Sequence, residues 1–161
     1  MQFKDKVAIV TGGTRGIGKA IVLELAKNGC NVVFNYNKNA DAASALVKEI
    51  ESMGQKAISF QVDAASFEGA KNMVKEVKNT FGRIDFLVNN AGITRDKLLA
   101  LMGENDRDEV IDTNLNGVAF VTRETALRMI AAGTGGSIVN IASILAERAQ
   151  KDAVIIEIGE E

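Results

Sequence analysis

Several kinds of side chain are scarce or absent in this sequence. Its 161 residues include no histidine, no proline, one cysteine and one tyrosine. Without histidine the chain lacks the commonest general base and metal ligand, so we do not expect a metal site. The single cysteine, Cys30, excludes an internal disulfide and is typical of proteins from the reducing cytoplasm.

Long hydrophobic runs and an excess of charge of one sign are missing too. No apolar run approaches the ~20 residues that span a bilayer, and the first segment, MQFKDKVAIV, lacks the apolar stretch of a signal peptide. The net charge is −2, which argues against a basic face for nucleic acid. We therefore expect a cytoplasmic globular protein that binds neither membranes nor nucleic acid.

What the sequence does have is a regular alternation of two patterns. Apolar runs of strand length alternate with segments whose apolar residues recur at helical spacing. The predicted strands cover residues 6–13, 31–36, 56–63, 84–92 and 136–143, and the predicted helices cover residues 17–29, 39–54, 67–82 and 104–133. This alternation predicts an α/β fold, a doubly wound Rossmann-type parallel sheet of about five strands with helices on both faces. Its ligand crevice is expected beyond the C-terminal ends of the strands.

The segment after Ser143, residues 144–161, is harder to interpret. It could form a short helix and then a strand at 153–158, or an antiparallel edge strand. Its run AVIIEI is apolar, prone to β-structure and free of proline, so left unpaired it would favour aggregation. We expect it to pair at a sheet edge, to pack under a helix, or to join a second chain, which would make a homo-oligomer.

The strongest local motif is VTGGTRGIGKA, residues 10–20, between the first strand and the first helix. Gly12, Gly16 and Gly18 allow a sharp turn and a close approach to a phosphate. The helix N-terminus adds N–H groups and the positive end of its dipole. Loops use glycine freely, but this placement between a buried strand and an amphipathic helix favours a dinucleotide-binding site.

The end of the second strand bears on which dinucleotide binds. NAD-binding sites usually carry an acidic residue there, which holds the ribose 2′-hydroxyl. Here the residues are Asn35, Tyr36, Asn37 and Lys38, and Arg15 lies in the glycine turn. A cationic pocket without an acid favours NADP(H), with its 2′-phosphate, over NAD(H). The alternative is that Arg15 and Lys38 are solvated surface cations.

Polar residues also follow the other predicted strands. Asp63 ends the third strand, VNNAG (88–92) ends the fourth, and Ser143 ends the fifth. Asp63 could bind an adenine amino group or simply cap a turn, and Asn89 and Asn90 could line a cofactor or satisfy loop amides. Together these residues are expected along the edge of the sheet where a nucleotide would lie.

Four segments, VTGGTRGIGKAI, DFLVNNAGITRD, VIDTNLNGV and GSIVNIAS, occur in an order typical of one family. By these motifs the sequence resembles the short-chain dehydrogenases/reductases, and within them most of all the 3-oxoacyl-[acyl-carrier-protein] reductases of fatty-acid synthesis. The resemblance covers about residues 1–145, which we interpret as an NAD(P)-binding Rossmann domain. Residues 146–161 are an atypical tail, part of that domain or disordered, and the family's C-terminal part is expected to be missing.

The resemblance implies a role for each matching residue. The glycine turn would hold the pyrophosphate, Arg15 the 2′-phosphate and Asp63 the adenine, and the substrate would be a carbonyl compound or one linked to acyl carrier protein. Asn114 would hold a proton-relay water, and Ser143 would hydrogen-bond the substrate carbonyl. The implied cofactor-binding set is Gly12, Thr14, Arg15, Gly16, Ile17, Gly18, Asn37, Lys38, Asp63, Ala64, Asn90, Ala91 and Gly92.

Part of the family's catalytic set has no match. The family donates a proton from the tyrosine of a Tyr-x-x-x-Lys motif, and counted from Ser143 those positions hold Ile156 and Glu160. The one tyrosine, Tyr36, is expected on the adenosine side of the cofactor. We therefore expect an NADP(H)-binding domain that is catalytically incomplete as this chain. The alternatives are an NADP-dependent reductase completed by another chain or by further residues, and a structural domain with an empty cofactor site.

Overall fold

A computed structural model describes residues 1–95, 97, 99–133 and 135–143 of the chain. The strands β1 (Val7–Val10), β2 (Asn31–Tyr36), β3 (Ala57–Gln61), β4 (Phe86–Asn89) and β5 (Ser137–Asn140) form one sheet in the order β3-β2-β1-β4-β5, and every pairing is parallel. The helices are α1 (Gly16–Lys27), α2 (Ala40–Ser52), α3 (Phe67–Phe81), α4 (Glu104–Ile111) and α5 (Gly117–Ala132). Because the strand order reverses at β1, the sheet is doubly wound, which confirms the predicted α/β Rossmann-type fold.

The central strands are buried because their sequences are apolar on both faces. In β1, Val7 and Ile9 pack among side chains of α3 and α5, whereas Ala8 and Val10 pack among those of α1 and α2. This alternation follows from the period of two residues in a strand. Each valine or isoleucine side chain buried in this way stabilises the fold by about 1.5–3 kcal/mol.

The helices that follow β2 and β3 begin at polar caps. The side chain of Asn39 accepts a hydrogen bond from the Ala42 amide at 3.0 Å. Ser66 accepts one from the Gly69 amide at 3.1 Å. These bonds satisfy first-turn N–H groups that have no partner within the helix.

The predicted continuous helix over 104–133 is wrong. The chain forms α4, then a π-helical segment, Asp112–Asn116, and then α5. The side-chain amide of Asn114 pairs with the main chain of Ile93, at 2.9 and 3.0 Å, and a Cβ on Gly117 would come within 2.6 Å of the Ala64 carbonyl oxygen. Both contacts are with segments distant in sequence, so the helical period alone could not predict the interruption.

Four strands also end earlier than predicted, and one short helix was not predicted. The strands β1, β3, β4 and β5 each stop before the predicted last residue, and their continuations become loops at the same edge of the sheet. A 3₁₀ helix, Leu99–Leu101, precedes α4. The strand predicted at 153–158 lies outside the described residues. Among the helices that the structure describes, none is long and apolar enough to cross a membrane.

The opposite edge of the sheet, at the N-terminal ends of the strands, is held by one buried carboxylate. The side chain of Asp85, 7% exposed, accepts hydrogen bonds from the Val7 amide at 3.0 Å, from Lys6 Nζ at 3.0 Å and from Arg83 Nε at 2.7 Å. Burial raises the pKa of Asp85, but the hydrogen bonds from Arg83, Val7 and Lys6 outweigh it, so the pKa lies below its usual value. The charged carboxylate therefore stabilises the folded state.

Replacing Asp85 by Asn should lower the free energy of unfolding at pH 7 by about 1–2 kcal/mol, because two partly exposed cations lose their charged acceptor. The folded-state pKa is depressed, so this stabilisation is complete above the unfolded pKa of about 3.9 and is lost as pH falls through the folded value. The gap between the wild type and D85N in urea unfolding should therefore shrink below about pH 4.

The control variant is Glu51→Gln, which removes one exposed negative charge from α2. It should change the free energy of unfolding by less than about 0.5 kcal/mol at either pH. A gap between the wild type and D85N that stays constant from pH 7 to pH 3 would contradict the assignment.

Candidate functional site

A cleft of about 1120 Å³ opens at the C-terminal edge of the sheet. Every one of the predicted cofactor-binding residues, from Gly12 to Gly92, lines it. These residues come from the glycine turn after β1 and from the segments after β2, β3 and β4. They meet because the carboxyl ends of parallel strands share one edge, and the cleft lies on both sides of the β1–β4 reversal, where open α/β sheets bind their ligands.

The glycine turn forms the floor of this cleft. Gly12 and Gly16 have φ of +67° and +51°, which other residues rarely adopt. A Cβ on Gly18 would overlap the carbonyl oxygen of Gly12 and lie 2.5 Å from Asn90 Nδ2, so α1 starts in direct contact with the turn. On Gly16, by contrast, a Cβ would meet no atom within 4 Å. The turn is therefore closed on one side and open on the other.

The start of α1 fits an anionic ligand. Its N-cap residue, Arg15, makes no side-chain cap hydrogen bond, and its first turn contains no acidic residue. Those N–H groups have no partner within the helix, and the dipole places partial positive charge there. An open glycine turn at a helix N-terminus is the geometry that holds a pyrophosphate, so the residues present fit a dinucleotide.

The loop after β4 braces the turn from one side. Asn90 Nδ2 donates to the Thr11 carbonyl at 2.9 Å and to the Gly12 carbonyl at 3.2 Å. In return, Thr11 Oγ1 accepts from the amides of Asn90 and Ala91, both at 2.9 Å. The side chain of Asn90 therefore satisfies loop backbone groups, one of the two roles considered for it, and it also lines the cleft.

The neighbouring asparagine serves the sheet rather than the cleft. Asn89 Nδ2 donates to Thr122 Oγ1 at 2.9 Å and to Asn140 Oδ1 at 2.8 Å. It thereby joins β4 to α5 and β5. Of the residue pair singled out in VNNAG, Asn89 is 3% exposed and structural, and Asn90 is the one that reaches the cleft.

Asn35 braces the turn from the β2 side. Its Oδ1 accepts from the Gly12 amide at 3.0 Å, its Nδ2 donates to the Val62 carbonyl at 2.8 Å, and its backbone carbonyl accepts from the Gly13 amide at 3.2 Å. Sequence reasoning used Asn35 only as a position without an acid, and it did not single out Thr11. In each case the signal available in the sequence was a polar residue at the end of an apolar strand, and the structure shows that both side chains are buried.

Charged side chains are distributed unevenly around the cleft. Within the described part of the chain, neither Arg15 nor Lys38 has a hydrogen-bond or ion-pair partner from its side chain, and both line the cleft. Asp63 Oδ1 accepts from the Ala65 amide at 3.0 Å, so Asp63 caps the turn after β3 in addition to lining the cleft. Of the three cations that line the cleft, Arg15, Lys38 and Arg95, the first two therefore have no partner among the described residues.

A second opening of about 440 Å³ adjoins the first and is lined by Asn114, Gly92 and the two arginines Arg15 and Arg95. The amide of Asn114 is engaged with Ile93, and Arg95 Nε bonds to Glu109 Oε2 at 2.8 Å. Ser143 follows β5 at the same edge of the sheet and is exposed, but it is not among the described residues that line either opening.

Other reactive groups are poorly placed for chemistry. Burial, assisted by the charge of Asp85, raises the pKa of Cys30 to about 12, so this thiol stays protonated. Within residues 1–95, 97, 99–133 and 135–143, no three acidic or cysteine side chains gather as metal ligands. The positions Ile156 and Glu160 lie outside the described residues.

Two curated relatives are similar to this chain in sequence. The chain is 45% identical over 141 residues to a protein named 3-oxoacyl-[acyl-carrier-protein] reductase from Staphylococcus epidermidis, covering 88% of this chain and 57% of that protein. It is 45% identical over 139 residues to a protein of the same name from Synechocystis, covering 86% and 56%. The chain therefore spans a little over half the length of these relatives.

Solved structures share the fold over nearly the whole chain. A short chain dehydrogenase from Burkholderia cenocepacia, in complex with NADP, matches with a TM-score of 0.89 at 36% identity and covers 95% of this chain and 61% of its own. A blue fluorescent protein from a metagenomic library, in complex with NADPH, matches with a TM-score of 0.87 at 34% identity, covering 96% and 62%.

The family comparison agrees with the fold and with the cleft. The model of the family described as short chain dehydrogenase matches residues 6–154, which include the glycine turn, all five strands and Ser143. The chain therefore belongs to the short chain dehydrogenase family.

Proposed function

We propose that this chain is the NADP(H)-binding part of a short-chain reductase that acts on 3-oxoacyl groups carried by acyl carrier protein. The observation that carries the proposal is the glycine turn at the start of α1, which is open at Gly16. It shares the cleft with Arg15 and Lys38, whose side chains have no partner among the described residues. The names of the relatives support the substrate class, and the nucleotides in the related structures support the cofactor.

Each wall of the cleft has a proposed task. The turn amides and the α1 N-terminus hold the pyrophosphate, because they combine N–H donors with partial positive charge. Arg15 and Lys38, with Asn37 beside them, bind the 2′-phosphate. Asp63 and Ala64 contact the adenine, and the segment from Asn90 to Gly92 contacts the adjoining ribose. When bound, NADPH supplies the hydride that reduces a carbonyl.

The reduction of the substrate carbonyl is assigned to two residues, Ser143 after β5 and Asn114 between α4 and α5. Ser143 hydrogen-bonds the carbonyl oxygen of the substrate. Asn114, whose side chain fixes the loop at Ile93, positions the relay water through its place in the π-helical segment. Carbonyl reduction also needs a proton donor within hydrogen-bond reach of that oxygen.

Tyr36 does not meet that requirement. It ends β2, and β1 and β4 lie between β2 and β5 in the sheet. With strands ~4.8 Å apart, about 14 Å separates the tip of β2 from the tip of β5. We therefore propose that these 161 residues bind the dinucleotide and do not by themselves complete proton transfer. A reductase completed by another chain or by further residues is the alternative.

The cofactor assignment predicts that NADPH binds more tightly than NADH. Replacing Arg15 by Ala should weaken NADPH binding about tenfold or more, because a charge-assisted hydrogen bond to the 2′-phosphate is lost. The same change should alter NADH binding by less than about threefold. Titration of nucleotide fluorescence measures both affinities.

The matched control is Lys75→Ala, which removes an exposed cation from α3, away from the cleft. It should leave both affinities unchanged. Equal binding of NADPH and NADH by the wild type would contradict the proposed preference, and no binding of either would contradict the cofactor site itself.

The proton-donor argument predicts that the 161-residue chain does not oxidise NADPH in the presence of a β-ketoacyl thioester. Adding the family's Tyr-x-x-x-Lys segment with all that follows it in the relatives should give turnover. The double substitution Ile156→Tyr with Glu160→Lys should not, because it supplies the groups without the surrounding structure that positions them. Formation of the 3-hydroxyacyl product by the unaltered chain would refute this part of the proposal.

A further inference from the structure

The amide of Asn35 joins three segments that meet at the cleft. Asn35 is 4% exposed, and both ends of its side chain are engaged, Oδ1 by the Gly12 amide and Nδ2 by the Val62 carbonyl. Because one partner is an N–H donor and the other a carbonyl acceptor, the orientation of the amide follows from the contacts. The side chain connects the glycine turn after β1 with the end of β3.

The main chain of Asn35 strengthens the same connection. Its carbonyl accepts from the Gly13 amide at 3.2 Å, so Asn35 satisfies two successive N–H groups of the turn. A Cβ on Gly13 would lie 2.5 Å from Cβ of Phe34, which shows how closely the turn lies against β2. The height of the glycine turn above the sheet is therefore set by β2 at this residue.

The contact with Val62 extends this control to the opposite wall. Asp63 follows Val62 directly, and both line the cleft together with Gly12 and Asn35. One amide thus fixes the distance between the wall proposed to hold the pyrophosphate and the wall proposed to hold the adenine. A shift of either bond would change the span that a dinucleotide has to bridge.

No side chain of similar shape can replace this amide. Aspartate could accept from the Gly12 amide, but it could not donate to the Val62 carbonyl and would place two oxygens face to face. Leucine could make neither bond and would leave both backbone groups buried without a partner. An aspartate would also bring a negative charge into the cleft that holds Arg15 and Lys38.

We propose that Asn35 is a positioning residue, whose amide holds the glycine turn to the end of β3 and thereby spaces the two walls of the cleft for NADP(H). This inference rests on the proposed function, because it assigns the cleft to that nucleotide. It adds a residue whose role is separate from direct contact with the nucleotide.

The test compares NADPH and NADH titrations of the wild type, N35D and N35L. In N35D the added charge should repel the 2′-phosphate, so the ratio of NADPH to NADH affinity should fall about tenfold or more. In N35L both affinities should fall by a similar factor, about fivefold or more, because the wall spacing is lost without a change in charge. A role confined to stability would lower the free energy of unfolding of N35L without weakening its binding of either nucleotide.

D85N is the control for stability, because Asp85 holds the opposite edge of the sheet. It should be destabilised and still bind both nucleotides with wild-type affinity. If N35L does not fold, NADH binding by N35D decides the test, because aspartate has the same shape and keeps the Gly12 bond but cannot donate to the Val62 carbonyl, so its NADH affinity should still fall. Wild-type affinity for NADH in the folded variants would overturn the inference. Failure of the wild type to bind either nucleotide would instead overturn the proposed function on which it rests.

Discussion

The contact between the start of α1 and the glycine turn before it sets the shape of the cleft. The first turn of α1 approaches the carbonyl of Gly12 so closely that residue 18 has no room for a side chain. That approach aims the helix N-terminus at the cleft and keeps Gly16 on the open side. The sheet, the braces and the flanking cations then act around a turn whose shape this one steric condition sets.

The two edges of the sheet are stabilised by different physical means. At one edge the buried carboxylate of Asp85 gathers two cations and a backbone amide. At the other edge, the long-range hydrogen bonds are made by neutral groups, the side-chain amides of Asn35 and Asn90 and the hydroxyl of Thr11. Neutral groups brace the turn without pairing with Arg15, so its charge remains for a ligand. A carboxylate in the same place could also brace the turn, but it would compete with an anionic ligand for Arg15.

How far the sequence predicts this molecule depends on how local each signal is. The periodicity of apolar residues and the placement of glycines can be read within a single helix, strand or turn. They therefore predicted the strands, the parallel sheet and the residues of the cleft. The interruption near Asn114 and the brace at Asn35 depend on partners, Ile93 and Val62, that are distant in sequence. A pattern within one segment contains no information about such partners, although a polar residue at the end of an apolar strand is a usable indication.

The architecture also supports the proposed separation of cofactor binding from carbonyl chemistry. Among the described residues, the braces of the glycine turn come from β2, from β4 and from the loop after β4, and none of those bonds involves β5. Ser143 lies beyond β5, next to the residues that the structure does not describe. A change in the polypeptide after β5 therefore leaves intact the bonds that shape the dinucleotide site. For this reason we regard nucleotide binding as the activity that the described residues support by themselves, and reduction as one that depends on what surrounds Ser143.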